Sequence, residues 1–139
     1  MPEKDISKYD IELSVVVPLL DEEESIQELA SQLHEVLEGA YTFEIIFVDD
    51  GSTDQSWQKI QEVSEQYDMA SGIRLQRNYG KSSALQAGFE KSKGAFVATM
   101  DADLQDDPRE IPPMIKQIKE NDLHLVSGWK KERHDPISK

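Results

Sequence analysis

Apolar positions along the chain alternate between two spacings. Leu13-Ser14-Val15-Val16-Val17 is a short β-branched run closed by Pro18, and it predicts a buried strand. Ile26, Leu29, Leu33, Val36 and Leu37 then recur at helical spacing behind a glutamate-rich first turn. Glu44-Ile45-Ile46-Phe47-Val48 reads as a second strand, followed by Trp57, Ile60, Val63 and Tyr67 on one helical face. Gly72-Ile73-Arg74-Leu75 is a third, weaker strand. Ala84-Leu85 and Gly88-Phe89 mark a helix whose small-residue face suits close packing on a sheet. Residues 95–100 give a fourth strand, Pro112-Pro113 open a helix carrying Met114, Ile115 and Ile118, and Leu123-His124-Leu125-Val126 gives a fifth strand. The alternation predicts an α/β fold: a Rossmann-like, mostly parallel sheet with helices on both faces. No internal repeat or linker interrupts it, and residues 1–10 and 134–139 read as frayed ends of one domain spanning 1–139.

Ligands of an open parallel sheet bind at the carboxyl ends of its strands, so the two sets of connections can be compared. Those entering strands (Gly39-Ala40-Tyr41-Thr42, Asp68-Met69-Ala70-Ser71, Ser92-Lys93-Gly94 and Asn121-Asp122) carry little chemistry. Those leaving strands run through residues 18–23, 49–54, 77–81, 101–107 and 128–133, and all five are dense in charge, amide and glycine. Function is expected on that edge.

Asp101-Ala102-Asp103 is its sharpest element. Two carboxylates separated by one small residue at a strand end can converge on a hard cation, and with the Gln105 amide they suit Mg²⁺ or Mn²⁺. The alternative is an acidic turn capping the next helix. Asp49 and Asp50 can accept from ribose hydroxyls or a base N–H, while Asp49-Asp50-Gly51 can equally be a turn with Thr53 or Asp54 capping the Trp57 helix. Arg77 and Lys81 bracket Gly80 at a helix start, which favours an anion or is ordinary solvated charge. Lys130, Lys131 and Arg133 form a second cationic loop on the same edge. His34, His124 and His134 match no metal spacing; Trp57 and Tyr67 are expected in the core; Glu22-Glu23-Glu24 reads as a solvated helix start with Glu22 close to the edge.

Composition narrows the class. The 139 residues hold 28 acids against 15 bases, a net charge of -13, which excludes a nucleic-acid binder relying on a global positive field. The charge is divided: residues 1–69 carry 18 acids and 3 bases, and residues 70–139 carry 10 acids and 12 bases. That division is either a solvated acidic first half or a gathering of bases where an anion must be met. Cysteine is absent, so a disulfide framework, a thiolate zinc site and a cysteine nucleophile are excluded. There is no G-x-G-x-x-G after the first strand, no G-x-x-x-x-G-K-[ST] and no G-x-S-x-G, which removes the dinucleotide, P-loop and serine-hydrolase readings. No apolar stretch approaches the roughly 20 residues of a membrane span, and the N-terminal residues do not read as a signal peptide. A cytoplasmic domain is expected.

Taken together, Val16-Val17-Pro18 with Asp21-Glu22-Glu23, then 48–54, 77–81, 100–108 and 127–133, resemble the family-2 glycosyltransferases of GT-A fold. They are most similar to the polyprenyl-phosphate glycosyltransferases, relatives of dolichol-phosphate mannose synthase. The resemblance runs from about Leu13 to Pro136 and implies a sugar transfer from a UDP- or GDP-sugar to a lipid phosphate. It implies that Pro18, Leu20, Asp21 and Glu22 border the nucleoside and that Asp49 with Asp50 hold base and ribose. Asp101 and Ala102 would lie against ribose and diphosphate, Asp103 would bind the metal with Gln105 near it, and Arg77, Gly80 and Lys81 would flank the nucleotide. Lys130 and Arg133 would approach the donor or acceptor phosphates. The first loop departs from the family, with Leu20-Asp21 where Tyr-Asn is frequent, so the resemblance carries no aromatic stacking onto the base.

The same resemblance places an acceptor-binding half, and in many members membrane helices, beyond this length of chain. The expectation is therefore a donor- and metal-binding half, its parent working at the cytoplasmic face of a membrane, with donor binding and little or no transfer by these residues alone. A sheet edge left bare is an association risk, and a homodimer is one way to cover it. Two other classes stand beside this one: a nucleotide-sugar binding module without turnover, and a receiver-like signalling domain, whose reactive Asp would follow the third strand where this chain has Arg77-Asn78.

Overall fold

Every residue of the first strand, β1 (Leu13–Leu19), is buried, a burden carried only by a strand with neighbours on both edges and layers on both faces. The computed structural model describes residues 10–121. Beyond β1 it contains α1 (Ile26–Leu37), β2 (Phe43–Asp49), α2 (Ser56–Gln66), β3 (Ala70–Arg74), α3 (Lys81–Lys91), β4 (Phe96–Thr99) and α4 (Ile111–Asn121). A 3-10 turn, Pro108–Glu110, leads into α4, with the Asp107 carboxylate accepting from the Arg109 N–H. The fifth strand at 123–126, the cationic loop with Lys130 and Arg133, and all but Asp10 of the expected frayed ends lie outside the described residues.

The four strands are parallel in the order β3-β2-β1-β4. This is the dinucleotide-fold order and not the 2-1-3-4 order of receiver domains, so the signalling alternative falls on topology. Alternate β1 residues feed two cores. Leu13, Val15, Val17 and Leu19 pack with α1, α2 and α4 on one face, while Val16 joins Ile46, Val48 and Ala84 of α3 on the other. Helices therefore cover both faces. His34 is buried in the first core, stacked on Tyr67 with centroids 3.8 Å apart and its Nδ1 2.8 Å from the Ala30 carbonyl. That is the structural role expected of it. Trp57 and Tyr67 pack onto the core half-buried.

Pro18 does not close β1, which runs one residue further. Backbone groups of a strand point alternately to its two neighbours. The Val16 carbonyl accepts from Met100, just after β4, and the Leu19 carbonyl from Asp50, just after β2, so Pro18 faces the β4 side. Pairing between β1 and β4 ends at Val16↔Thr99. The missing N–H of proline thus falls where β4 has no register partner for it. A residue that read as a terminator is a splitter instead.

The small face of α3 sets how closely that helix approaches the sheet. A Cβ on Gly88 would lie 2.3 Å from Val16 Cγ1, and Val16 is fully buried. In an exposed helix Gly→Ala is worth up to about 1 kcal/mol of added stability. Here Gly88→Ala is expected to cost about 1–3 kcal/mol from overpacking, seen as a lower Tm. Val16→Ala in the same chain is expected to recover part of the loss, and strict additivity of the two changes would refute this packing account.

Candidate functional site

Where β1 and β4 part, the carboxyl edge of the sheet opens into a cavity of about 370 Å³. This is the topological switch point, where an open α/β sheet presents its crevice. Of the residues singled out from sequence, Pro18, Leu20, Glu22, Asp50, Gly80, Lys81, Asp101, Ala102 and Asp103 line it. Leu19, Asn78 and Ala84 join them: Leu19 and Asn78 belong to the exit loops 18–23 and 77–81 but carried no individual role in sequence, and Ala84 read as a helix-packing alanine.

The first wall is two loops fastened together. Asp21 takes a positive φ of 54° and its Oδ1 accepts from the N–H groups of Thr53 and Asp54, while its own N–H donates to Ser52 Oγ. Glu22 N–H donates to Ser56 Oγ, Glu23 N–H to Asp54 Oδ2, and Gln55 N–H to Glu23 Oε1. The Asp21 carboxylate is therefore committed to the neighbouring loop and is not part of the cavity wall. Asp54 accepts from the Ser56 N–H at the start of α2, but the N-cap position is Gln55 and carries no side-chain cap bond, so neither Thr53 nor Asp54 is the N-cap expected from sequence. The acidity of Asp54 reflects its bonds: burial pushes the carboxyl up, but bonds from Ser56 and Glu23 outweigh that and hold it below the ordinary value.

The second wall hangs on Asp50. Its carboxylate accepts from the N–H of Tyr79 at 2.8 Å and of Gly80 at 3.0 Å, so the loop from β3 to α3 is held by the end of β2. Gly51 completes the contact: at φ 82° its absent Cβ would sit 2.4 Å from the Arg77 carbonyl carbon. Asp49 lies behind, fully buried, its Oδ1 accepting from Ser52 N–H and its Oδ2 making no hydrogen bond. Arg77 is exposed and lies over the Tyr79 ring at 5.0 Å, outside the cavity lining.

The third wall is the turn after β4. The Asp101 N–H donates to Asp106 Oδ2, the Gln105 N–H donates to Asp103 Oδ1, and Leu104 takes a positive φ of 67° between them. Gln105 thus contributes its backbone, and its side chain is exposed. From 77 residues away the buried Ser25 hydroxyl donates to the Ala102 carbonyl, which ties the start of α1 to the middle of the turn. In sequence Ser25 passes for an ordinary helix cap; no signal in the chain distinguishes it. Lys81 Nζ lies 2.8 Å from Asp101 Oδ1. Burial raises the Glu22 carboxyl above its ordinary value, and the neighbouring charges of Asp103, Asp101 and Asp54 add to this against a bond from Ser25. Four carboxylates thus share one field. Among the described residues no three acidic or histidine side chains close on one point as a ready-made cation cage.

Residues 14–136 match the family model described as Glycosyl transferase family 2. The chain belongs to that family. This glycosyltransferase chain is similar to the dodecaprenyl-phosphate galacturonate synthase of Rhizobium johnstonii, 39% identical over 129 residues that cover 91% of this chain and 38% of that protein. It is similar also to the undecaprenyl-phosphate 4-deoxy-4-formamido-L-arabinose transferase of Pseudomonas aeruginosa, 42% identical over 130 residues covering 91% and 38%. It spans, then, well under half the length of the curated relatives it matches. Among solved structures it resembles S. aureus TarS in complex with UDP, with a TM-score of 0.67, 26% identity and coverage of 79% and 32%. Pyrobaculum calidifontis PcManGT, in complex with GDP-Man and Mn²⁺, shares the fold at a TM-score of 0.62 and 24% identity, covering 74% and 31%. The expected family and the expected GT-A arrangement are both borne out.

The raised pKa of Glu22 has a sign. A carboxyl held above its ordinary value of 4.5 when folded is favoured in its protonated form by folding, so stability is lost as pH rises through that window. Glu22→Gln cannot ionise. Its Tm relative to the parent chain is expected to climb as pH rises from below 4.5 to above the raised value, and then to level off. A difference in Tm independent of pH would refute the shared field.

Proposed function

We propose that this chain forms the donor- and metal-binding part of an inverting glycosyltransferase that moves a sugar from a nucleoside diphosphate sugar to a polyprenyl phosphate. One observation carries the reading: Asp101, Asp103, Glu22 and Lys81 line a single cavity at the switch point of the sheet. Within that cavity Pro18, Leu19, Leu20 and Ala84 offer apolar surface to a base. Asp50 and the buried Asp49, whose Oδ2 has no hydrogen-bond partner, are the acceptors for base N–H and ribose hydroxyls. Asp101 and Ala102 lie against ribose and diphosphate, and Gly80, Lys81 and Arg77 flank the nucleotide.

A divalent cation fits this donor set. The Asp101 and Asp103 carboxylates are hard oxygen ligands whose charges already raise the Glu22 carboxyl, and Gln105 stands beside them. Mg²⁺ or Mn²⁺ would be held by Asp103 with Asp101 and would supply Lewis-acid neutralisation of the departing diphosphate. With two protein carboxylates and no closed cage, the remaining positions fall to ligand oxygens. An acceptor phosphate is largely ionised near neutral pH, its second pKa being about 6, so positioning matters more than a general base. Arg133 and Lys130 belong to this proposal as the groups that meet the phosphates. Among the described residues no helix is long and apolar enough to cross a membrane, and the parent is proposed to work at the cytoplasmic face. A homodimer through an open sheet edge completes the proposal. The runner-up, donor binding without turnover, shares the site and differs in the absence of any transfer.

The test is Tm with UDP or GDP, each with Mn²⁺ and each with a chelator. A ligand at about 100 times its Kd adds about 2.7 kcal/mol. One nucleotide is expected to stabilise the chain only with metal, and Asp103→Asn is expected to abolish that gain. An equal gain in Asp103→Asn would overturn the metal role, and no gain with either nucleotide would overturn the donor site. Transfer of radiolabelled sugar to polyprenyl phosphate by the whole protein separates the transferase from the binding module.

A further inference from the structure

Lys81 occupies an unfavourable place. It is the first residue of α3, where the helix end is positive and a cation gains nothing from the dipole. What it does gain is Asp101, at 2.8 Å across the cavity mouth. Among the described residues Lys81 is the basic side chain that lines this cavity, and the other charged groups there are Glu22, Asp50, Asp101 and Asp103. The Asp50 carboxylate is engaged by the Tyr79 and Gly80 N–H groups, and that bond is what delivers Lys81 to the opposite wall. The Asp101 side of the pair is equally set, by Asp106 at its N–H and Ser25 at the following carbonyl.

The pair is well placed and weakly held. The Lys81 side chain is 57% exposed and that of Asp101 24%, and ion pairs this accessible to water are worth little. A strong buried pair would lock the site. A weak one offsets the charge of Asp101 while remaining easy to exchange.

We propose that Lys81 is the resident counter-ion of Asp101 in the Asp101–Asp103 turn and changes partner on loading: with a divalent cation held by Asp101 and Asp103, the Lys81 ammonium group would give up Asp101 and turn to the phosphate of the entering ligand. This inference rests on the function proposed above. It makes Lys81 an opponent of the metal when metal arrives alone and an ally of the anionic ligand. The two effects have opposite signs, which a merely structural lysine would not produce.

Lys81→Met keeps the stem and removes the charge, at an exposed position where methionine is a good helix former. Binding of Mn²⁺ alone, followed by the electron paramagnetic resonance of the free ion, is expected to be about fivefold tighter in Lys81→Met than in the parent chain. Binding of UDP or GDP at saturating Mn²⁺, by calorimetry, is expected to weaken. Lys81→Arg should leave both near parent values. Lys116→Met, which removes the same charge from an exposed position on α4, should leave Mn²⁺ affinity unchanged. Equal or weaker Mn²⁺ affinity in Lys81→Met overturns the inference, as does the same tightening in Lys116→Met; unchanged nucleotide affinity overturns the change of partner. A parent chain that binds neither nucleotide with Mn²⁺ refutes the proposed function instead, and the Mn²⁺ comparison still decides the role of Lys81.

Discussion

A carboxylate that accepts backbone N–H groups from a different segment fixes that segment as a cap fixes a helix, and the working edge of this protein is assembled from that interaction. Asp21 holds 53–54, Asp54 holds Glu23 and the start of α2, Asp50 holds 79–80, Asp49 holds Ser52, and Asp106 holds Asp101. Charged acceptors make stronger bonds than neutral ones and satisfy loop donors that would otherwise need water. Loops made of glycine, serine and aspartate have little apolar area with which to order themselves, so the carboxylates replace a core. The fold's excess of acid is in part architectural. One motif can serve in both ways, and in Asp50 the anchoring role is visible while the same group lines the cavity.

That double use explains what was legible in the chain. Element order, the parallel sheet and the location of the site followed from spacing, because a run such as Ile45-Ile46-Phe47-Val48 has one stable environment and its exit loop one edge. The site's membership was legible where a residue's type and its strand-exit position agreed, as for Asp101, Lys81 and Glu22. It was less legible where a side chain reaches across sequence. Ser25 meets Ala102 from 77 residues away, and nothing local to Ser25 announces a partner. Arg77, Asp49 and Gln105 sit beside the cavity without lining it, since neighbours in a loop face different directions. Pro18 misled on strand length because proline removes a donor on one side only, and the side is set by a register no single segment contains.

The electrostatic design poses a problem that geometry answers. The proposed donor, a nucleoside diphosphate, is an anion, yet among the described residues four of the cavity's five charged side chains are acidic. The carboxylates cannot attract it, and the Glu22 carboxyl, held above its ordinary value by burial and by the charges of Asp103 and Asp101, shows their mutual repulsion. An acidic cleft admits an anion only with cations between, and the cleft holds one already in Lys81. Placing that cation on a weak, half-exposed pair offsets one of the cleft's negative charges when it is empty, without binding the counter-ion so firmly that a ligand must fight it. A stronger, buried pair would have to be broken at a cost of several kcal/mol. Affinity for the loaded ligand would then fall by that amount. On the proposed function the exposure of Lys81 is part of its role, and so is the precision of the loop that Asp50 holds, because a mobile lysine on a mobile loop would give the anion no fixed charge to find.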